Sequence, residues 1–371
     1  MSKQVKEKEV KRTSIGGQAL IEGVMMRGPE KTTMAVRHTS GEIRMESWNT
    51  PVGGRAKIWK VPFIRGIYNF IDSMRLGYRS LMRSAELSGL EEEIEEAGKS
   101  AKDPAVLAEP SAAEAIPAAA GSPESGQASP VAPEAASVPV VAVAAVASAA
   151  PVVEGKKEKE SSWWMTLLMV ASAVLGICLS VFLFLWLPTF LFNLLKSAIP
   201  SLDNQILRAV FEGVLRILLF VAYIFFTSLM KDIKRVYMYH GAEHKTIFCY
   251  EHGLPLTVEN VRQQSRFHPR CGTSFMILML LIGIVISMFI PIENPFVRTA
   301  VKLLTIPLLV GIGYEAIKLC GRRDNWFTRI IAAPGLWMQR LTTREPEDDM
   351  IECAIAAFED VVPADPEADK W

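Results

Sequence analysis

The feature that most constrains the fold is an uncharged stretch of twenty-five residues that runs from Trp163 to Leu187. About 20 residues of helix cross a bilayer core roughly 30 Å thick, so this stretch predicts a membrane-spanning helix. Further apolar stretches lie at residues 214–230, 273–292 and 297–319. The sequence therefore predicts a mainly α fold, a polytopic membrane protein with four transmembrane helices.

The distribution of Lys and Arg predicts how these helices are oriented. Cationic side chains collect between the second and third apolar stretches, at Lys231, Lys234, Arg235, Lys245, Arg262, Arg266 and Arg270. The loops on the opposite side hold fewer, among them Lys196 and, at an edge, Arg298. Because cationic flanks tend to stay in the cytoplasm, we expect a multi-pass protein of the cell membrane with both termini cytoplasmic.

Composition disfavours several classes of function. The 40 Lys and Arg balance the 40 Asp and Glu, so we expect no nucleic-acid partner. The five cysteines are too scattered for a disulfide framework and predict reduced thiols. The charged N-terminal residues are not followed by an apolar stretch, which disfavours a secretory signal.

Local composition divides the chain into five predicted regions. They are a charged tail (residues 1–12), a cytoplasmic α+β unit (13–98), a disordered Ala- and Pro-rich tether (99–162), a membrane domain with a His-rich cytoplasmic loop at 231–272 (163–321), and a cytoplasmic C-terminal segment with an interfacial helix (322–371). The tether or the α+β unit is the expected contact for any protein partner, and the apolar helices are expected to contact the lipid bilayer.

The α+β unit is predicted from two kinds of periodicity. Alternating stretches on either side of Thr39, Ser40 and Gly41 predict a β-hairpin. From Val61 to Ala85 apolar residues recur at helical spacing with arginines between them. That helix either packs on the hairpin, which we favour, or lies on an anionic membrane leaflet.

A short motif after the second apolar stretch carries most of the chemistry. His240 and His244 are four residues apart, so on a helix both imidazoles lie on one face, and Glu243 precedes the second histidine. This H-x-x-E-H pattern is the inverted form of the H-E-x-x-H zinc motif, in which the glutamate takes a proton from water. His268 and Cys271, before the third stretch, offer two more ligands. We therefore predict a metal site of His240, His244, His268 and Cys271, with zinc as the favoured ion.

Charged residues inside the apolar stretches need partners at membrane depth. Arg216 follows Glu212 by one helical turn, so the two are expected to pair. Glu315 is expected to extend towards the cytoplasmic interface or, alternatively, to face the histidines. Lys302 is expected near the opposite interface.

Three blocks of sequence resemble the YqhQ-like family of bacterial membrane proteins, which contain a domain of unknown function. The blocks are GGQALIEGVMMRGP at 16–29, YHGAEHKTIFCYE at 239–251 and HPRCGTSF at 268–275. The resemblance covers nearly the whole chain outside the tether and the charged tail, and it implies a metal-dependent enzyme. It singles out the four predicted ligands and Glu243, together with Gln18, Glu22 and Arg27, and we expect Glu22 or Arg27 to reach the metal site.

The leading functional prediction is a zinc-dependent membrane enzyme, possibly a hydrolase, with Glu243 as its catalytic base at the cytoplasmic face. Four protein ligands would close the coordination sphere and make the metal structural, whereas three would leave a position for water. The alternatives are a membrane scaffold or assembly protein with a structural metal, and a carrier of metal ions or small solutes.

Overall fold

A computed structural model describes residues 12–50, 61–90, 163–322, 325–365 and 368–369. The predicted tether at 99–162 and nearly all of the predicted tail at 1–12 lie outside these residues. The described chain is mainly helical, with a small antiparallel sheet near its N-terminus. The predicted fold class is confirmed at this level.

The sheet has four antiparallel strands in the order β1-β2-β3-β4. The strands are β1 (Gly16–Leu20), β2 (Gly23–Arg27), β3 (Lys31–Arg37) and β4 (Ile43–Asn49). The register of β3 and β4 runs from Lys31 opposite Asn49 to Arg37 opposite Ile43, which confirms the predicted hairpin. The strand β1 forms one edge of the sheet and pairs only with β2.

One helix, α1 (Ile64–Ser88), precedes the long apolar stretch that begins at Trp163. The others are α2 (Trp163–Val181), α3 (Leu187–Ala198), α4 (Gln205–Thr227), α5 (Lys231–Glu251), α6 (Val258–Arg262), α7 (Gly272–Ser287), α8 (Pro295–Leu304), α9 (Ile306–Arg322), α10 (Trp326–Thr342) and α11 (Asp348–Val361). A π-helical turn, Phe182–Trp186, joins α2 to α3.

The amphipathic helix α1 connects the sheet to the apolar helix α9. Its Leu76, Leu81 and Leu87 pack on a cluster of buried sheet residues, Leu20, Met25 and Met34. At its N-terminal end Arg65 forms an ion pair with Glu315 of α9. Helix-on-sheet packing is therefore confirmed, and Glu315 is bound by α1 rather than by the histidines.

The largest hydrophobic core is built from segments far apart in the sequence. Side chains of the sheet, α5 and α11 meet there, among them Val24, Met26, Tyr239, Ala354 and Phe358, all with no exposed surface. The C-terminal helix α11 packs on β2, β3 and α5. The predicted N-terminal unit, central loop and C-terminal segment thus form one packed body.

The prediction of four spans is supported only in part. Within the described residues, two helices are long and apolar enough to cross a bilayer, Val170–Ala198 and Gln205–Thr227. A third candidate is the pair α8 and α9, which is bent by 46°. The remaining apolar helix, α7, has 16 residues and spans about 24 Å.

The predicted ion pair between Glu212 and Arg216 does not form. Glu212 instead pairs with Arg298 at 3.0 Å and with Lys302 at 2.5 Å, both on α8. Spacing along α4 can reveal only partners on the same helix, whereas the two cations of α8 lie 86 and 90 residues away in the sequence. Lys302 is consequently buried among the helices, where Glu212 holds its ammonium group.

Candidate metal centre

The two histidines of the H-x-x-E-H motif lie on a separate helix that begins after the second apolar helix has ended. The helix α4 stops at Thr227, and α5 starts at Lys231 after a short turn. Met230 has an extended conformation, which breaks the helix at this point. The helix α5 is therefore separate from α4 and packs between the sheet and α11. Glu243 and His244 of the motif are buried there.

Three of the four predicted ligands meet at one point. The side chains of His240, His244 and Cys271 offer one ligand atom each, and these atoms all lie within 4.8 Å of one another. The Nε2 atom of His240 is 3.2 Å from the Sγ atom of Cys271, and the two imidazole rings are 4.4 Å apart between centroids. Cys271 is the residue that caps the start of α7, so the site joins α5 to this apolar helix.

Backbone carbonyls hold both imidazoles from behind. The Nδ1 atom of His240 lies 2.8 Å from the carbonyl of Thr342, and the Nδ1 atom of His244 lies 2.6 Å from the carbonyl of Arg266. Because a carbonyl can only accept, each Nδ1 is the donor and each neutral ring keeps its lone pair on Nε2. Metal-binding histidines characteristically donate their other ring N–H to a carbonyl or carboxylate, so two nitrogens and one sulfur fit a zinc ion.

The electrostatics of the cluster favour the form of Cys271 that binds metal. Burial raises the pKa of the Cys271 thiol, but His240 and His244 outweigh burial and hold that pKa well below its ordinary value. Burial also lowers the pKa of His240, yet the charge of Cys271, the hydrogen bond to its sulfur, the charge of Glu243 and the Thr342 carbonyl together outweigh burial and raise that pKa to about 9. A metal ion bound here would therefore displace the Nε2 proton of His240. The thiolate is the form that ligates zinc.

Glu243 lies beside the cluster and against the edge strand of the sheet. Its carboxylate accepts a hydrogen bond from the backbone N–H of Gly17 in β1. Its Oε2 atom is buried and has no hydrogen-bond partner among the described residues. Burial raises the pKa of Glu243, although both histidines act in the opposite direction. A buried carboxylate with one oxygen unpaired has the properties of a proton acceptor.

His268, the fourth predicted ligand, is adjacent to the cluster but not part of it. Its ring lies 5.5 Å from that of His244, and its Nε2 is 3.3 Å from Arg270 and 3.8 Å from Glu251. Arg270 and Glu251 also form an ion pair with each other. Burial lowers the pKa of His268. Among the described residues, three protein ligands therefore surround the candidate metal position.

A cavity of about 660 Å³ opens next to the three ligands. Glu243 and the backbone of Gly16 and Gly17 line it on the sheet side. Apolar side chains of two apolar helices, Ile224 of α4 and Met276 of α7, line the other side. The candidate site thus lies where the packed body of the sheet, α5 and α11 meets the apolar helices, and it has room for a ligand of moderate size.

The first sequence block contributes its backbone to the site, and its charged side chains lie elsewhere. Glu22 pairs with Arg235 of α5, and Arg27 pairs with Asp72 of α1 at 3.0 Å. The expectation that Glu22 or Arg27 reaches the metal site is therefore wrong. Gln18, which the resemblance also singled out, does line the cavity beside the metal position. The block comes closest to Glu243 at Gly17, where a Cβ atom would come within 2.9 Å of the Glu243 carboxyl carbon. The glycine pair at the start of the block was the only sequence signal of this contact.

Other potential ligands in the same region have different partners. His252 is exposed and lies 2.8 Å from Gln264 through Nδ1. Cys249 is buried on α5 and contacts the carbonyl of Pro255 at 3.4 Å. Neither joins the cluster.

Comparison with known proteins agrees with the resemblance found in the sequence blocks. Residues 61–364 match a family described as "Protein of unknown function (DUF1385)". The chain belongs to this YqhQ-like family. It is 31% identical over 351 residues to the uncharacterized protein YqhQ of Bacillus subtilis (strain 168), and the alignment covers 94% of this chain and 92% of that protein. No solved structure matches the chain.

Proposed function

We propose that this protein is a zinc-dependent membrane enzyme with hydrolytic chemistry at its cytoplasmic face. The observation that carries the proposal is the convergence of His240, His244 and Cys271, with both Nδ1 atoms bound to backbone carbonyls. Three protein ligands beside an open cavity are the arrangement of catalytic zinc sites, whereas structural zinc sites have four. The full set of four ligands predicted from the sequence, with His268 included, would give a structural site.

The residues around the cluster support distinct roles. A zinc ion held there would polarise a substrate carbonyl and activate water. Glu243 would accept the proton at its unpaired Oε2 atom, while the N–H of Gly17 keeps the carboxylate in place. The apolar lining from Ile224 and Met276 would bind the non-reacting part of a substrate and exclude water.

The membrane arrangement belongs to the same proposal. The four apolar segments would all cross the bilayer, with α7 completed by the turn that follows it and α8 with α9 forming one bent span. The excess of Lys and Arg around α5 favours cytoplasmic placement of the packed body and of both termini. The metal site would then face the cytoplasm at the level of the lipid headgroups.

Metal content of the full chain, purified in detergent, tests the first part of the proposal. We expect about one zinc per chain in the wild type and in Cys249→Ser, since Cys249 is buried outside the cluster. Cys271→Ser removes the thiolate ligand and should lower zinc affinity by more than about 100-fold. Absence of stoichiometric metal from the wild type, or equal zinc in both variants, would refute the metal site.

The second experiment asks whether the metal has an open position. Cobalt(II) replaces zinc in many such sites and reports its coordination by visible absorption. We expect acetohydroxamate to change the spectrum of the cobalt-loaded wild type and of Glu243→Gln. Glu243→Gln should also retain its metal but lose hydrolysis of a panel of peptide and ester substrates that the wild type cleaves. A spectrum that acetohydroxamate leaves unchanged indicates a closed, structural site and favours the scaffold.

A further inference from the structure

A second cluster of buried charges lies within the apolar helices, away from the metal site. At its centre is Glu212 of α4, which has no exposed surface and pairs with Arg298 and Lys302 of α8. Arg216 lies one turn further along α4 and is 7% exposed. The cluster is about 18 Å along α4 from Ile224, the α4 residue that lines the metal cavity.

The charges in this cluster do not balance. Arg216, Arg298 and Lys302 supply three positive charges, and Glu212 is the only carboxylate that the described residues place among them. At the edge of the cluster buried Arg208 adds a fourth cation, which donates to the Ile292 carbonyl that Arg298 also contacts. Buried ions in a low-dielectric environment are costly unless they are paired, and at membrane depth the cost is larger. The surplus of positive charge therefore calls for a bound anion.

The hydrogen bonds of the three cations are unequally satisfied. Arg298 donates to Glu212, to Ser287 and to the carbonyls of Ile290 and Ile292. Lys302 donates to Glu212 and to the hydroxyl of Thr189. Arg298 and Lys302 are thus engaged by groups of the protein.

Arg216 retains a free donor. Its Nε atom donates to the carbonyl of Phe184 at 2.8 Å, within the π-helical turn. Its Nη2 atom is buried and has no hydrogen-bond partner among the described residues. A buried guanidinium N–H without an acceptor costs free energy, and π-helical turns inside α-helices are frequent at functional sites. The Nη2 atom is therefore positioned to receive a ligand.

Two further donors around the π-helical turn also lack partners within the described chain. They are the indole Nε1 of Trp186, in the turn itself, and the hydroxyl of Thr299 on α8. The helix α8 packs on this turn, and the Trp186 ring lies 6.0 Å from that of Phe296, one turn before Thr299. Guanidinium, indole and hydroxyl groups are hydrogen-bond donors suited to an oxyanion.

We propose that Arg216, Trp186 and Thr299 form a binding site for a phosphate-type oxyanion, between the π-helical turn, α4 and α8. The positive charge of Arg298 and Lys302 adds to the attraction without direct contact. Such a group reaches the site either as the headgroup of an anionic phospholipid or as a free phosphate ion. Neither the metal centre nor its chemistry is involved, so this proposal stands independently of the proposed function.

Native mass spectrometry and thermal unfolding of the delipidated full chain in neutral detergent test the proposal. The probes are dioleoyl phosphatidylglycerol, dioleoyl phosphatidylcholine and sodium phosphate. We expect retention of phosphatidylglycerol, or stabilisation by phosphate, at concentrations where phosphatidylcholine has no effect. Retention of phosphatidylglycerol without a response to phosphate identifies a lipid headgroup site, and a response to both identifies a site for free oxyanions.

Two variants link any binding to these residues. Arg216→Gln should weaken binding at least tenfold, whereas Arg83→Gln, which removes an exposed arginine of α1, should not. Thr299→Val guards against loss of folding, because replacing an unpaired buried hydroxyl by a methyl group should leave the unliganded protein as stable as before. It should nevertheless bind the probe about threefold more weakly. Failure of both anionic probes to bind, or binding unchanged in Arg216→Gln and Thr299→Val, would overturn the proposal.

Discussion

Two glutamates on consecutive helices are buried to a similar degree but have opposite surroundings. Glu243 of α5 is 5% exposed and lies beside His240, His244 and Cys271. Glu212 of α4 is fully buried and is held by Arg298 and Lys302. One carboxylate lies among atoms that donate electron pairs to a cation, and the other lies among cations.

The difference indicates what each cluster lacks. Around Glu243 two imidazole nitrogens and the Sγ atom of Cys271 converge, so a metal ion that displaces their protons would satisfy them. Around Glu212 the positive charges exceed the negative, so an anion would satisfy them. Burial alone therefore does not define a function, because the surroundings of the same residue type would suit a cation in one place and an anion in the other.

The largest expected effect comes from neutralising the two glutamates in turn. Glu212→Gln leaves Arg298 and Lys302 without their carboxylate and should destabilise the protein by about 3–5 kcal/mol. Glu243→Gln keeps the acceptor for the Gly17 N–H and removes no ion pair to Lys or Arg, so it should change the unfolding free energy by less than about 1 kcal/mol. Denaturant unfolding in detergent, followed by tryptophan fluorescence, measures both. Equal destabilisation by the two substitutions would contradict the view that Glu212 is held by buried cations and Glu243 is not.

How well the sequence predicted these two sites depends on how local the contacts are. The alternation of residues 32–48 and the helical spacing of residues 61–85 predicted the hairpin and α1, because those patterns reflect neighbours along one strand or helix. Likewise, the spacing of His240 and His244 was sufficient to place both imidazoles on one face of α5.

Contacts between distant segments were not predictable in the same way. The histidines donate hydrogen bonds to the backbone carbonyls of Thr342 and Arg266. The sequence cannot indicate these acceptors, since every residue carries a carbonyl group. Arg298 and Lys302 carried no sign of their distant partner on α4. The helix α11 looked like part of a separate C-terminal segment, yet it completes the core of the N-terminal sheet. Pairing across such distances depends on the tertiary fold.

A smaller effect is expected where the sheet supports Glu243. At Gly17 a Cβ atom would lie 2.8 Å from the Met25 carbonyl oxygen and 2.9 Å from the Glu243 carboxyl carbon. Gly17→Ala should therefore cost about 1–3 kcal/mol of stability. Gly16→Ala is the matched control, because nothing lies within 4 Å of a Cβ atom there, and it should change stability by less than about 0.5 kcal/mol.

The same pair of variants separates the carboxylate from the metal ligands. Gly17 contacts Glu243 and is not one of the three ligands His240, His244 and Cys271. Both variants should therefore retain the zinc content of the wild type. Unfolding free energy and metal analysis on the same preparations give the result. Loss of zinc in Gly17→Ala, with retention in Gly16→Ala, would show that the edge strand shapes the ligand set as well as the base.

The smallest effect belongs to a third carboxylate, Asp360 of α11, which is near the surface. It accepts hydrogen bonds from Lys31 and Thr33 of β3, each at 2.6 Å, and these bonds hold its pKa below the ordinary value. A depressed folded pKa stabilises the protein above the unfolded pKa of about 4, and this contribution disappears as the pH falls through the folded pKa. Because both side chains of the Lys31–Asp360 pair are about a third exposed, the contribution should be at most about 1 kcal/mol. Asp360→Asn should therefore be less stable than the wild type at pH 7 and equal to it in acid, whereas Glu359→Gln, the exposed neighbour, should match the wild type throughout. A deficit of Asp360→Asn that stays constant down to acidic pH would mean that packing of α11, and not the charge of Asp360, sets its effect.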